Sequence, residues 1–256
     1  MILLVSGEGP TDIGATQSQQ CPTPTVEVAW GPMGMMINKL VEPIWWDNAP
    51  IDTGSMRFVS EFSLASYQNE SKSANRKKLA LPGLNRSQET AFFYQNARAL
   101  ARMAKTTSEK EKCRVGAVLF RDADRTRGAR RTLREDKVRS IEDGFSSEQF
   151  DLGVPMVPKP KSEAWLLCAL QEQPYKNCAR LEGLSGNDNS PNPAKALLDE
   201  ALGSHGQAGD LADFVSDGRV DVQRIEMPSF NEFRERMVEV AKAMLSGPDD
   251  PGQTRP

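Results

Sequence analysis

Apolar residues fall along this chain in two patterns. Short unbroken runs, Ile2–Val5, Val115–Phe120 and "LGVPMVP", read as strands buried on both faces, and Met56–Ser63 ("MRFVSEFS") alternates well enough to be another strand. Between them, apolar residues recur at helical spacing. Met35, Met36, Ile37, Leu40 and Val41 form a stripe inside Thr25–Ile44, a stretch that reads as helix or loop. Ser87 is placed to cap a helix through "ETAFFYQNARALARMAKT", "RRTLREDKVRSIEDGF" reads as a charged helix, and "KSEAWLLCALQE" as a helix capped by Ser162. Pro193–Leu202 and Phe230–Leu245 complete the predicted helices. Ser66–Arg86 is polar and basic and reads as a surface loop. Asn177–Ala194 reads as a second loop, and "SGPDDPGQTRP" as a disordered tail.

Strands alternating with helices predict an α/β fold: a mostly parallel, Rossmann-like sheet flanked by helices, with a helical C-terminal part. Residues 1–175 would form the α/β core, with an insertion around 18–55; 176–246 would extend the same domain, and 247–256 would be the tail. The 256 residues, 38% of them apolar, suffice for one large core, and no internal repeat divides them. The net charge of -3 conceals local asymmetry and says little about partners. The four cysteines, Cys21, Cys113, Cys168 and Cys178, lack CxxC spacing and predict reduced, mostly buried thiols. With His205 the only histidine, a zinc site is not expected. The first residues lack the pattern of a signal peptide, no run is long enough to span a membrane, and a cytoplasmic location is expected.

In a parallel sheet, chemistry gathers at the carboxyl ends of the strands. Two acidic turns follow predicted strands there. Glu8 sits between Gly7 and Gly9 after the first strand, where small residues let the backbone approach a ligand closely. Taken alone, Glu8 reads as a solvated turn residue. Asp122 and Asp124, in "LFRDADRT", are alternate residues of an extended segment, so both carboxylates could face one hard cation such as Mg²⁺. An isolated DxD is otherwise a turn or a helix cap. Glu163 would begin a helix near the same sheet edge, either as a ligand for a second ion or as a partner of the helix dipole. Asp12 would either join the cluster or cap the first helix.

Glu8 in "VSGEGPTD", followed by a helix and then by Asp122 and Asp124 after a later buried strand, resembles the TOPRIM domain. That domain occurs in type IA and type II topoisomerases, primases and nucleases of the overcoming-lysogenization-defect class. "PKPKSEAWLL", "NPAKALL" and "MPSFNEF" look like the later motifs of a bacterial TOPRIM-like family called domain of unknown function 4276, whose members often lie beside ATPase genes, some in anti-phage loci. The resemblance implies a Mg²⁺- (or Mn²⁺-) dependent nuclease. Glu8, Asp122 and Asp124 would be catalytic, Glu8 as the general acid or base, and these three with Glu163 would hold metal. Nucleic acid would be the substrate and an ATPase the protein partner, with self-association left open. It equally allows a non-catalytic subunit that binds or regulates such an ATPase.

The physics of phosphodiester cleavage fits that division, because it needs charge neutralised on nonbridging oxygens and a carried proton. Glu8 crowded by aspartates would have its pKa raised, as proton transfer favours. Arg121 and Arg125 adjoin the aspartates and, with Lys159 and Lys161, are candidates for the phosphate backbone. Arg127, Arg130, Arg131 and Arg134 extend the basic stretch, where a solvated helix face is the simpler reading. Trp30, Trp45 and Trp46 could stack on bases, although core packing is expected of them. A Walker A loop is excluded, since no lysine precedes Lys39, and the third glycine of a dinucleotide fingerprint is replaced by Asp12. A phosphatase or phosphotransferase on a similar sheet would instead form an aspartyl-phosphate.

Overall fold

The unbroken apolar runs become the centre of a sheet. The computed structural model describes residues 1–9, 11–46, 48–74, 88–123, 133–203 and 210–246. In chain order these form β1 (Ile2–Gly7), β2 (Gly14–Ala15), β3 (Thr23–Pro24), β4 (Ala29–Trp30), α1 (Pro32–Val41), β5 (Met56–Val59), α2 (Glu61–Ala74), α3 (Gln88–Glu111), β6 (Val115–Phe120), α4 (Leu133–Ser147), β7 (Gly153–Met156), α5 (Ser162–Leu170), α6 (Ala194–Leu202), α7 (Asp210–Ser216) and α8 (Pro228–Leu245). Five strands pair in the order β3-β5-β1-β6-β7. β1 runs parallel to β5 and β6, β7 runs parallel to β6, and only β3 is antiparallel, to β5.

Alternation along β1 sorts its side chains into two cores. Leu3 and Val5 face a layer built from α1, α5 and α8, including Met36, Ile37, Trp165, Phe230, Phe233 and Met237. Ile2 and Leu4 face the other layer, with Ala97 and Leu100 of α3 and Ile141 and Phe145 of α4. Burial on both faces explains why these strands read as continuous hydrophobic runs. The chain is thus an α/β protein with a mostly parallel, Rossmann-like five-stranded sheet between helical layers. The 18–55 stretch supplies edge strand β3 and helix α1 to this framework, and α8 packs on β6 and β7.

Several local readings are corrected. The Met56–Ser63 strand stops at Val59, and Glu61 opens α2, which runs to Ala74 through much of the expected surface loop. Helix formers such as Glu61, Ala65 and Gln68 favour that outcome over the polarity signal. Asn177–Ala194 contains a 3₁₀ segment, Cys178–Gly183, and α7 had no clear periodic signal. Trp46 is exposed, not core, and takes a left-handed backbone conformation after α1. Ser87, His205, Asp124, Arg125, Arg127, Arg130, Arg131 and the 247–256 tail lie outside the described residues.

The cysteine reading is also corrected. Cys168 of α5 and Cys178 of the 3₁₀ segment form a disulfide, their Cα atoms 5.2 Å apart, while Cys21 and Cys113 are free thiols. A turn after α5 brings the chain back on itself, which sequence spacing does not reveal. Among the described residues, no helix is long and apolar enough to cross a membrane.

The segments "KSEAWLL" and "MPSFNEF" meet in the core. The Trp165 ring stacks on Phe233 at 5.6 Å and meets Phe230 edge-on at 4.9 Å, and its Nε1 donates to Ser229 Oγ at 2.9 Å. Trp165→Ala should lower unfolding free energy by about 3–5 kcal/mol. Trp165→Phe should cost less but remain destabilising, because Ser229 loses its indole donor; denaturant unfolding of both variants checks this.

Candidate functional site

The first turn is shaped by two glycines. At Gly7 a Cβ would lie 2.8 Å from Phe120 Cδ1, so a side chain there would push apart the carboxyl ends of β1 and β6. Gly9 has φ +77°, and a Cβ on it would fall 2.5 Å from Asp12 Oδ2. With those positions open, the chain reverses at once, and Asp12 N donates to Gly9 O at 3.1 Å. Glu8 and Asp12 are thereby placed on one tight turn. The Asp12 carbonyl accepts from Met33 N at 2.9 Å, tying the turn to the start of α1.

Glu8 then reaches the next strand: its Oε1 accepts from Asp122 N at 2.9 Å. Asp122 Oδ1 in turn accepts from Ser162 N at 2.9 Å, at the start of α5. Ser162 was expected to cap α5 with its own side chain. The cap position is Lys161, with no side-chain cap bond, and the carboxylate of Asp122, just past the end of β6, serves the helix N-terminus. That leaves the buried Ser162 hydroxyl to donate to Asp12 Oδ1 at 3.0 Å, with Glu163 Oε2 at 3.3 Å. Asp12 therefore joins the acidic cluster instead of capping α1, whose N-cap is Gly31. Three carboxylates, Asp12, Asp122 and Glu163, thus meet the first residue of α5, and Glu8 is linked to them through the Asp122 amide.

That crowding shows in proton affinity. Burial, with smaller contributions from the Glu163 and Glu8 charges, pushes the Asp12 carboxyl from 3.8 up to about 6, against the opposing Ser162 hydrogen bond and Lys161 charge. The donor set is oxygen-only and suits a hard divalent cation in chemical type. In the described arrangement the carboxylates are joined through amides and a hydroxyl, and among the described residues no group of three or more His, Cys, Asp or Glu side chains is poised to chelate a metal.

The cations expected to bind substrate are placed differently. Arg121 is buried and turns to the α2–α3 side, where Nη2 lies 2.7 Å from Glu61 Oε1; burial holds its pKa below the ordinary value, with Glu61 and Glu8 opposing. It braces the end of β6 and does not present a free fork at the carboxylates. Lys159 lies 3.8 Å from Glu135 and 4.0 Å from Glu182, and Lys161 lies 3.2 Å from Asp188. Arg134 is scaffold: it donates to Val157 O at 2.8 Å and pairs with Glu232 at 2.6 Å. Trp45 packs in the core, with Nε1 on Ala241 O at 3.1 Å, and Trp30 meets Phe58 edge-on at 6.2 Å.

Lys137 carried no local signal in "REDKVRS", yet it holds the strand end. Its buried ammonium donates to Asp122 O at 3.1 Å and Ala123 O at 2.8 Å. Ser162 was legible only as a cap, although its place beside Glu163 was a usable hint. Comparison with protein-family models, curated proteins and solved structures gave no match to this chain.

The Asp12 displacement has a defined sign. A folded-state value above the unfolded one means that stability from this group is present below about 3.8 and lost as pH rises through about 6. Asp12→Asn, which keeps an acceptor for Ser162, should therefore stabilise the metal-free protein at pH 7 by on the order of 2–3 kcal/mol, at about 1.36 kcal/mol per pH unit. The gain should vanish towards pH 4, as denaturant unfolding at the two pH values would show.

Proposed function

We propose that this chain is a metal-dependent nuclease of TOPRIM-like fold, cleaving nucleic-acid phosphodiesters. The observation that carries the reading is the linked set Glu8–Asp122–Ser162–Asp12, which joins the ends of β1 and β6 to the start of α5 at the carboxyl rim of a parallel sheet. Asp122, Asp124 and Glu163, with Asp12 beside them, would hold Mg²⁺ or Mn²⁺. When bound, the ion would neutralise nonbridging phosphate oxygens and acidify a coordinated water.

The residues of the chain divide the remaining work. Glu8, fixed through Oε1 by the Asp122 amide, would take the proton from the attacking water, or give one to the leaving oxygen. Lys137 holds the Asp122–Ala123 backbone so that the carboxylate stays at the rim. Arg121 acts as a positioning residue through its pair with Glu61. Arg125, Lys159 and Lys161 remain candidates for the backbone of the strand. Action beside an ATPase in anti-phage defence follows from the family resemblance.

A second reading has a specific observation in its favour. Glu8 and Asp122 each spend an oxygen on a backbone amide, as structural staples do. A non-catalytic subunit that binds or regulates an ATPase would retain them for that reason alone.

Cleavage of plasmid, linear DNA and RNA with Mg²⁺ or Mn²⁺ separates the two. The nuclease reading expects Glu8→Gln and Asp122→Asn each to lower the rate by about 100-fold or more, and Asp124→Asn to do likewise. Cleavage that survives Glu8→Gln and Asp122→Asn at full rate would remove this site from the chemistry. A wild-type chain that cuts nothing, alone or with a neighbouring ATPase, would favour the regulatory subunit.

A further inference from the structure

Two phenylalanines stand in the open at the rim that carries the carboxylates. Phe62 is 81% exposed and Phe92 is 50% exposed, whereas Phe93, the next residue of α3, is buried. Phe62 lies in the first turn of α2, just past the carboxyl end of β5. Phe92 lies near the start of α3, and its ring centroid is 5.4 Å from the Arg121 guanidinium carbon. The same guanidinium reaches Glu61, the residue before Phe62, at 2.7 Å. One guanidinium therefore meets the Phe92 ring and the residue before Phe62, and Arg121 immediately precedes Asp122 in the chain.

The anchoring is doubled on the other side of Asp122. Lys137, which holds the Asp122 and Ala123 carbonyls, places its ammonium 4.9 Å from the Phe93 ring centroid. Two adjacent rings of α3 are thus set by two cations that also set the end of β6. Phe93 is consumed as packing by this arrangement, while Phe92 keeps half of its surface towards solvent.

Single exposed apolar residues are ordinary. Here two exposed aromatic residues flank the end of the sheet where a phosphodiester would be handled, Phe62 just past β5 and Phe92 against Arg121 at the end of β6. A protein partner would favour a contiguous apolar patch. A single-stranded nucleic acid alternates phosphates with flat apolar bases, and every base offers a face to an aromatic ring irrespective of sequence.

We propose that Phe62 and Phe92 form a stacking platform for unpaired nucleobases, so that the substrate class is single-stranded nucleic acid, with a backbone phosphate at Glu8 and Asp122 and flanking bases on the two rings. This rests on the nuclease reading and narrows it. The platform would act in binding, not in the bond-breaking step.

The test is fluorescence anisotropy with labelled unstructured DNA and RNA oligonucleotides and the matching duplex, with Ca²⁺ in place of Mg²⁺ so that the strand is held uncut. Phe62→Ala and Phe92→Ala should each weaken single-strand binding by about 5-fold to about 100-fold, with a smaller change for the duplex, and Phe→Trp at either position should restore it. The DNA and RNA arms identify which strand is preferred. Phe62 is so exposed that its removal leaves folding intact, and an unchanged melting temperature verifies this. Wild-type binding of single strands that neither alanine variant weakens would overturn the platform while leaving the nuclease reading in place. Failure of the wild-type chain to bind single strand or duplex would overturn both.

Discussion

The peptide and side chain of Asp122 hold this protein's rim together. Its amide donates to Glu8, its carboxylate accepts from Ser162, and its carbonyl accepts from Lys137. One residue thereby joins the turn after β1, the end of β6, the start of α5 and the buried face of α4. Such a junction is demanding, since a buried amide or ammonium left without its acceptor is expensive. Each partner arrives from a different element, so the rim forms only when the sheet register is complete. Gly7 matters for the same reason, because its missing side chain lets β1 and β6 approach closely enough for Glu8 to reach across.

Helix α5 is the second support. Its N-terminus receives the Asp122 carboxylate, its middle is locked by Trp165 against α8, and its last turn is bonded to the 3₁₀ segment through Cys168 and Cys178. Glu182 of that segment accepts from Ser229 N at 2.6 Å, and Ser229 Oγ accepts from Trp165. The segments "KSEAWLL" and "MPSFNEF" thus serve chiefly to aim α5. This is a physical reason for their joint presence: a helix that must deliver Ser162 and Glu163 to a rim cannot tilt or slide.

The strands were legible because burial on both faces leaves continuous apolar runs, as in Ile2–Val5 and Val115–Phe120. The juxtaposition of Glu8 with Asp122 at their carboxyl ends follows from β1 and β6 lying side by side in parallel. Contacts between distant segments were less legible. Arg121 looked like a phosphate ligand because it adjoins the aspartates, but strand alternation turns it to the opposite side, onto Glu61. Lys137 looked like one charge among many on α4, and only the fold brings its ammonium under the β6 end. The disulfide was hidden because a turn between Cys168 and Cys178 sets their approach, which spacing alone does not specify.

Charge around the rim constrains any reading of its function. Glu8, Asp12, Asp122 and Glu163 crowd together, while Arg121, Lys159 and Lys161 each lie beside an acidic partner of their own. A phosphodiester approaching such a surface meets like charge unless positive charge accompanies it. The Asp12 carboxyl, pushed up to about 6 chiefly by burial and further by the Glu163 and Glu8 charges, is still mainly ionised at neutral pH, and a proton relieves the cluster in part only as pH falls through about 6. A divalent cation would relieve it more fully, and would turn a surface that repels polyanions into one that holds them. Anion affinity at this rim would therefore rise with metal loading, since Arg121, Lys159 and Lys161 each lie beside an acidic partner away from the cluster.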